Sequence, residues 1–333
     1  MMKKSKILEL REKAKNFKKK IVLPEGDDKR VLRAGVFLAT QGIAEITILG
    51  NNEKIKNIAD ENNIELKDVT IVNPVKHLKF KELADAYYNL RKYKGMTQEE
   101  AEKILKEMPV FFGAMMVNAG LMDGFVAGAS TTTANVARGA IQCLKIDKAV
   151  GTISSAFIME VENSNYGENG LFIFADCGII PLPSVRQLAG IAISSSDLFY
   201  KLFGVKARTA LLSYSTKGSA ESETINIIRG ALEEVKQKRP DIMVDGELQL
   251  DAAIVPEVAK IKCPESVIAG KANVLIFPNL EAGNIGYKIV QRLANARAVG
   301  PIMLGLEKPC SDLSRGCDWE DIVDAVTITS LRA

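Results

Sequence analysis

The sequence predicts an α/β protein in which a mostly parallel sheet is covered by helices on both faces. From residue 20 onward, short apolar runs alternate with longer segments of helical periodicity, and this alternation is typical of parallel sheets. The chain has 333 residues, of which 47% are hydrophobic, so it is long enough for two domains with separate cores.

The N-terminal segment predicts a surface helix. It is rich in lysine, but it also contains Glu9 and Glu12 and lacks the apolar core of a signal peptide. A mitochondrial presequence is the alternative, although such segments are poor in acids. The residues that form its apolar face at helical spacing are Ile7, Leu8, Leu10, Ala14 and Phe17.

The elements that follow are read from short apolar runs for strands and from helical periodicity for helices. In the first half, we predict strands at 20–24, 46–49 and 69–72 and helices at 28–39, 51–63, 79–91 and 97–106. In the second half, we predict strands at 171–174, 209–213, 244–248 and 274–277 and helices at 185–202 and 221–238.

A last strand, 299–306, and a helix that starts at residue 322 complete the chain. The composition of the segments changes near residue 151, whereas the last strand and helix flank the polar segment 309–321. We therefore predict a first domain of residues 1–150 plus 300–333 and a second domain of residues 151–299.

Composition excludes several classes of protein. Lys and Arg number 44 against 41 Asp and Glu, so the chain lacks the excess charge of a nucleic-acid-binding protein. No run of 18 apolar residues is present to span a membrane. The cysteines are odd in number and scattered without a CxxC pair, and His77 is the only histidine. A zinc site or a disulfide framework is therefore not expected. The cysteine pattern instead favours a reducing, cytoplasmic location.

Segment 309–321 carries the most informative motif. Ser314, Arg315 and Asp321 supply a hydroxyl, a guanidinium and a carboxylate on a strand-to-helix turn. Such a set can hold an anion and move a proton beside it. Two other readings stay open: Asp318 and Asp321 can form a capping box, and Cys317 can be a nucleophile, although cysteines are more often buried and inert.

Segment 124–139 predicts an anion site at a helix N-terminus. Gly128 permits close approach of the backbone, and Ser130, Thr131 and Thr132 offer amides and hydroxyls to a phosphate. The alternative is simple N-capping by Ser130 or Thr131. Arg138 is a candidate ligand for an acyl phosphate, or else an ordinary salt-bridged helix residue.

Two further segments are weaker candidates. Arg91 lies in a basic cluster before a turn glycine, where cations also suit a helix C-terminus without any ligand. Asn284 lies in segment 278–288, whose side-chain amides can bind a ligand or simply form a turn. No nucleotide-binding glycine motif follows the first strand.

Four segments, 21–32, 123–138, 277–287 and 312–317, resemble in order the motifs of phosphate acetyltransferases. The resemblance covers nearly the whole chain. It implies two α/β domains with an interdomain active-site cleft, usually in a homodimer, and exchange of acetyl between coenzyme A and phosphate. Coenzyme A is then a substrate, no metal or cofactor is needed, and acetate kinase is the functional partner in acetate metabolism.

The same resemblance assigns roles to the candidate residues. Asp321 is the base that takes the thiol proton of coenzyme A, Ser314 hydrogen-bonds the developing oxyanion, and Arg315 stabilises charge at the same centre. A thiol of pKa ~8.5 needs only a modest base. The residues expected to bind substrate are Arg138, Arg91, Ser130, Thr131, Thr132 and Asn284.

Three alternatives remain. A phosphate butyryltransferase or another acyl-phosphate transferase shares the fold and differs in its acyl pocket. A metal-dependent decarboxylating dehydrogenase has a similar fold but needs clustered acidic ligands for Mg²⁺ and a nucleotide site. A catalytically silent regulatory domain would not need intact Ser314, Arg315 and Asp321.

Overall fold

A computed structural model describes residues 5–333. The chain forms two compact units, one that ends at Lys145 and resumes over Leu306–Ala333, and another over Ile146–Gly305. Residues 146–150 and 300–305, which the sequence analysis assigned to the first domain, thus lie in the second unit.

The first unit starts with α1 to α7 and β1 to β4. In chain order these are α1 Lys6–Ala14, β1 Lys20–Leu23, α2 Lys29–Thr40, β2 Glu45–Leu49, α3 Asn52–Glu61, β3 Thr70–Val72, α4 Phe80–Arg91, α5 Gln98–Glu107, α6 Pro109–Asn118, β4 Gly124–Ala127 and α7 Thr133–Leu144. After the second unit, the chain adds β11 Cys310–Asp312 and α13 Trp319–Arg332.

The second unit holds the remaining strands and helices. They are β5 Ser154–Glu160, β6 Leu171–Ala175, α8 Val185–Phe203, β7 Arg208–Leu212, α9 Glu223–Lys238, β8 Met243–Leu248, α10 Leu250–Ile254, α11 Pro256–Lys262, β9 Val274–Ile276, α12 Leu280–Leu293 and β10 Arg297–Leu304.

The strands of the first unit run parallel in the order β3-β2-β1-β4-β11. The predicted strand 299–306 corresponds to β10, which belongs to the second unit, and the strand that rejoins the first unit is β11. This strand pairs in register with β4, from Cys310 opposite Phe125 to Asp312 opposite Ala127. Three residues with two polar side chains show no apolar pattern, so the pairing alone reveals this strand.

The strands of the second unit follow the order β10-β5-β6-β9-β7-β8. Pairs β6–β9, β7–β9 and β7–β8 are parallel, as expected, but β5 runs antiparallel to both β10 and β6. No strand was predicted from the sequence over residues 154–160, where β5 lies. The core on this sheet includes the buried aromatic side chains of Phe157, Phe172, Phe174 and Phe277.

The N-terminal helix packs on the first unit as an amphipathic element. Its buried residues are Ile7, Leu10 and Ala14, whereas the predicted face also included Leu8 and Phe17, which are exposed. Arg11 forms an ion pair with the buried Asp324 of α13 (2.6 Å), so a charge contact adds to the apolar packing of α1. Within residues 5–333, no helix is long and apolar enough to cross a bilayer.

Candidate active site

Three loops of the first unit follow strands that lie side by side. β1, β4 and β11 are neighbours in the sheet, and the chain leaves them at residues 24–28, 128–132 and 313–318. The carboxyl ends of parallel strands meet at one edge of a sheet, which is where α/β proteins bind ligands. Three motifs that are distant in sequence therefore come together at this edge.

Glu25 occupies the anion cradle that the sequence predicted at the start of α7. Its carboxylate accepts hydrogen bonds from the Ser130 hydroxyl and from four backbone amides, namely those of Gly128 (2.9 Å), Ala129 (2.9 Å), Ser130 (3.0 Å) and Thr131 (2.6 Å). The amides that the sequence analysis offered to a phosphate thus bind a carboxylate of the protein itself.

The cap of α7 differs from the predicted one. The hydroxyl of Thr132, rather than that of Ser130 or Thr131, accepts from the Asn135 amide at 3.4 Å. A substrate role for these three residues stays a prediction. Such a role would depend on their side chains, because the amides of Ser130 and Thr131 already donate to Glu25.

One guanidinium connects all three loops. Arg30 is paired with Asp28 (2.6 Å) and donates to the carbonyls of Ala129 (2.7 Å), Arg315 (2.9 Å) and Cys317 (2.7 Å). The Asp28 carboxylate raises the pKa of Arg30. The sequence analysis missed Arg30 and Glu25 as site residues, although both lie in segment 21–32. The position of Glu25 just after a strand of a parallel sheet, and of Arg30 in the first turn of the helix that follows, was the available signal.

Ser314 and Arg315 lie on a tight, exposed turn. The Ser314 hydroxyl accepts from the Gly316 amide at 3.3 Å, and its carbonyl accepts from the Cys317 amide at 2.9 Å. The side chain of Arg315 is exposed, while its carbonyl is held by Arg30. The backbone of this turn is therefore fixed from within the protein, while the side chains of Ser314 and Arg315 are exposed, and their catalytic roles stay a prediction.

Asp321 stands at the third position of α13 and forms the capping box that the sequence left open. Its Oδ2 accepts from the Asp318 amide (3.0 Å), while Asp318 Oδ1 accepts from the amides of Glu320 (2.8 Å) and Asp321 (2.9 Å). The capping alternative is confirmed. The residue is nevertheless exposed, so the cap leaves the carboxylate accessible, and its role as a base stays a prediction.

Arg138 and Arg91 lie close to the same tyrosine. The Tyr87 hydroxyl donates to Gln142 Oε1 at 2.5 Å and so joins α4 to α7. Burial raises the pKa of Tyr87, and the positive charges of Arg91 and Arg138 oppose this shift. Arg138 is exposed and donates to Asn135 rather than to a carboxylate, so the predicted salt-bridge alternative is not observed for this residue.

A groove of about 480 Å³ is lined in part by Arg91. Arg91, Lys94 and Lys103 contribute positive charge to it, while Glu100 and Glu107 contribute negative charge. The Arg91 Nε atom is buried and has no hydrogen-bond partner. A substrate role for Arg91 stays a prediction.

Asn284 belongs to the second unit, where the protein itself uses both ends of its amide. Its Nδ2 donates to the Cys177 carbonyl (3.0 Å), and its Oδ1 accepts from Lys288 (2.8 Å). The substrate role that the family resemblance implies for Asn284 stays a prediction.

The surroundings of the cysteines and of the single histidine do not favour a nucleophilic role. All five cysteines are buried, and the pKa of Cys317 is raised to about 11 by burial and by nearby Asp321 and Asp28, with Arg30 opposing the shift. His77 follows β3, which three strands separate from β11. Within residues 5–333, no group of three or more metal-ligating side chains is placed to hold an ion.

Comparison with known proteins supplies the family. Residues 6–330 match the model of the phosphate acetyl/butaryl transferase family. The chain is 49% identical to the phosphate acetyltransferase of Thermoanaerobacterium thermosaccharolyticum, over 97% of both chains. It is 46% identical to that of Clostridium acetobutylicum, over 96% of both.

Solved structures agree with these relatives. A phosphotransacetylase from Streptococcus pyogenes superposes with a TM-score of 0.92 at 41% identity, over 100% of this chain and 99% of that one. A branched-chain phosphotransacylase from Enterococcus faecalis, at 15% identity, has a TM-score of 0.67 over 94% of this chain and 98% of that one, and shows the shared fold alone. The chain therefore belongs to the phosphate acetyl/butaryl transferase family.

Proposed function

We propose that this chain is a phosphate acetyltransferase that transfers acetyl reversibly between coenzyme A and phosphate, by direct attack in a ternary complex. The observation that carries the proposal is the exposed turn with Ser314 and Arg315 beside Asp321, in a chain whose relatives at up to 49% identity are named phosphate acetyltransferases. Acetyl-CoA and phosphate are accordingly the substrates of one direction, and coenzyme A and acetyl phosphate those of the other.

The chemistry follows from the groups at this turn. Asp321 takes the thiol proton of coenzyme A, and the thiolate attacks the carbonyl carbon of acetyl phosphate. The Ser314 hydroxyl and the Arg315 guanidinium stabilise the tetrahedral oxyanion. Collapse of this intermediate breaks the bond between the carbonyl carbon and the phosphate oxygen, which releases acetyl-CoA and phosphate.

A coupled measurement tests the reaction and its independence of metals. We expect thioester formation from acetyl phosphate and coenzyme A, followed by ultraviolet absorbance, to be unchanged after treatment with EDTA. A strict requirement for a divalent cation would contradict the metal-free mechanism. Greater activity with butyryl phosphate than with acetyl phosphate would favour the phosphate butyryltransferase alternative.

Arg138 is expected to act mainly in binding. Arg138→Ala should lower kcat/KM about 10- to 150-fold, which corresponds to about 1.5–3 kcal/mol for one charge-assisted contact to a phosphate. Much of the loss should appear in KM. Lys145→Ala, at the other end of α7, is the matched control, and kinetics of Arg138→Ala equal to those of the control would show that Arg138 is only a surface residue.

No protein thiol is expected to carry the acetyl group. A buried thiol with a pKa of about 11 is almost entirely protonated at neutral pH. Cys317→Ala should therefore keep near-normal turnover, and double-reciprocal plots over both substrates should intersect, as a ternary complex requires. Parallel lines in the parent enzyme together with an inactive variant would place the nucleophile on the protein.

The assembly and cellular context of the enzyme are also proposals. We expect a homodimer, which is consistent with the exposed face that Ile285, Ile289 and Leu293 form at four-residue spacing on α12. Gly283 is the only residue of that helix that is buried, and large exposed apolar patches are typical of contact surfaces. The scattered cysteines favour a cytoplasmic location, and acetate kinase as functional partner follows from the family resemblance alone.

A further inference from the structure

Asp312, the last residue of β11, is a buried acid with few compensating contacts. Its side chain is 1% exposed, and neither carboxyl oxygen makes a hydrogen bond of normal geometry. Gly128 packs directly against it, because a Cβ atom at that glycine would overlap Asp312 Oδ1 and the Leu313 amide. Asp312 thus lies between the Glu25 cradle and the turn that carries Ser314.

The surroundings of Asp312 favour its neutral form. Burial raises the pKa of Asp312 to about 7, and the negative charge of Glu25 adds to the shift. The Thr133 side chain of α7 and the Leu313 amide approach the carboxyl as weak hydrogen-bond donors, and they lower its pKa without reversing the shift. Cys310 is the other titratable group that interacts with Asp312, and α13 meets this strand through Thr329, which pairs with Ser311 at 2.8 Å.

An acid in this setting lowers stability unless it keeps its proton. Ionising a buried carboxyl is unfavourable unless donors fully compensate its charge. The four amides and the Ser130 hydroxyl donate to the Glu25 carboxylate and compensate its negative charge, so these donors are not directed at Asp312. Costly buried groups of this kind cluster at functional sites.

We infer that Asp312 is a positioning residue whose neutral carboxyl group holds the turn of Ser314 and Arg315 in place against the Glu25 cradle. Loss of its proton puts a second negative charge beside Glu25 and displaces the turn. The inference rests on the proposed function of Ser314 and Arg315. Acetyl transfer then requires that Asp312 keeps its proton.

The test compares kcat of Asp312→Asn with kcat of the parent enzyme across pH. Asparagine has the same shape and cannot ionise, so the ratio of variant to parent should rise about tenfold between pH 6 and pH 8 if the acid titrates near 7. Titration of the coenzyme A thiol cancels in this ratio. Asp312→Ala should lower kcat at every pH, because it removes the side chain that positions the turn.

Ser311→Ala is the matched control, since Ser311 is buried on the same strand and carries no charge. Its kcat ratio to the parent should not change with pH. A ratio for Asp312→Asn that is equally flat, or an Asp312→Ala variant with parental kcat, would overturn the inference. If the parent enzyme forms no thioester at any pH, the proposed function fails instead, which separates the two failures.

Thermal unfolding supplies a second measurement that does not need activity. The folded pKa of Asp312 lies above the ordinary value of 3.8, so the stability that its proton contributes is complete below pH 3.8 and is lost as pH rises to about 7. The Tm of the parent should fall relative to that of Asp312→Asn over this window. Parallel Tm profiles would contradict a buried proton at Asp312. If Asp312→Asn does not fold, ¹³C NMR of labelled aspartate in the parent should still show one carboxyl that titrates near neutral pH.

Discussion

Replacing Asp321 with asparagine is expected to lower kcat by about two to four orders of magnitude, the usual contribution of a general base. The variant removes the carboxylate that would take the thiol proton. It should remain folded, because the asparagine oxygen can still accept the hydrogen bond from the Asp318 amide that Asp321 Oδ2 now receives. Initial rates of thioester formation and a thermal unfolding curve measure the two effects separately.

Asp318→Asn provides the matched control for this prediction. Asp318 belongs to the same capping box and accepts from the amides of Glu320 and Asp321, but it has no proposed role in proton transfer. We expect it to retain most of kcat. If Asp321→Asn instead keeps most of its kcat and loses thermal stability, the residue serves the helix and not the reaction.

Glu25→Ala is expected to have the largest effect on stability among the site variants. It removes the acceptor of the four backbone amides and the Ser130 hydroxyl. Two of these bonds, from the Gly128 and Ala129 amides, are buried, and leaving a buried donor unsatisfied costs about 1–3 kcal/mol. A loss of about 3 kcal/mol or more in the free energy of unfolding is therefore expected, and activity should fall because the Ser130 loop is no longer held.

Urea denaturation measures this loss, with Glu53→Ala as the control. Glu53 is an acid on α3 of the same unit, and its side chain is exposed, so its removal should change stability by less than about 0.5 kcal/mol. Glu25→Gln should give an intermediate loss, since its amide keeps one acceptor oxygen. Equal stability of Glu25→Ala and the control would show that water replaces the carboxylate without cost.

The local patterns of the sequence determined the fold class and most of the elements. Apolar periodicity predicted the β1-to-β3 strands and their helices because the core face of each element repeats within a few residues. Helix starts could also be predicted because a capping side chain lies close in sequence to the amide that it binds, as Asp28 does at the start of α2. The Ser314-Arg315-Asp321 motif and the family were also evident in the sequence.

Only the tertiary structure decided which groups satisfy one another across the site. Glu25 reaches amides that lie 103 to 106 residues away, and Arg30 reaches the Cys317 carbonyl across 287 residues. No local pattern encodes such partners. Asp312 is the clearest case: the pairing of β11 with β4 removes it from water, and this burial gives it a different chemistry.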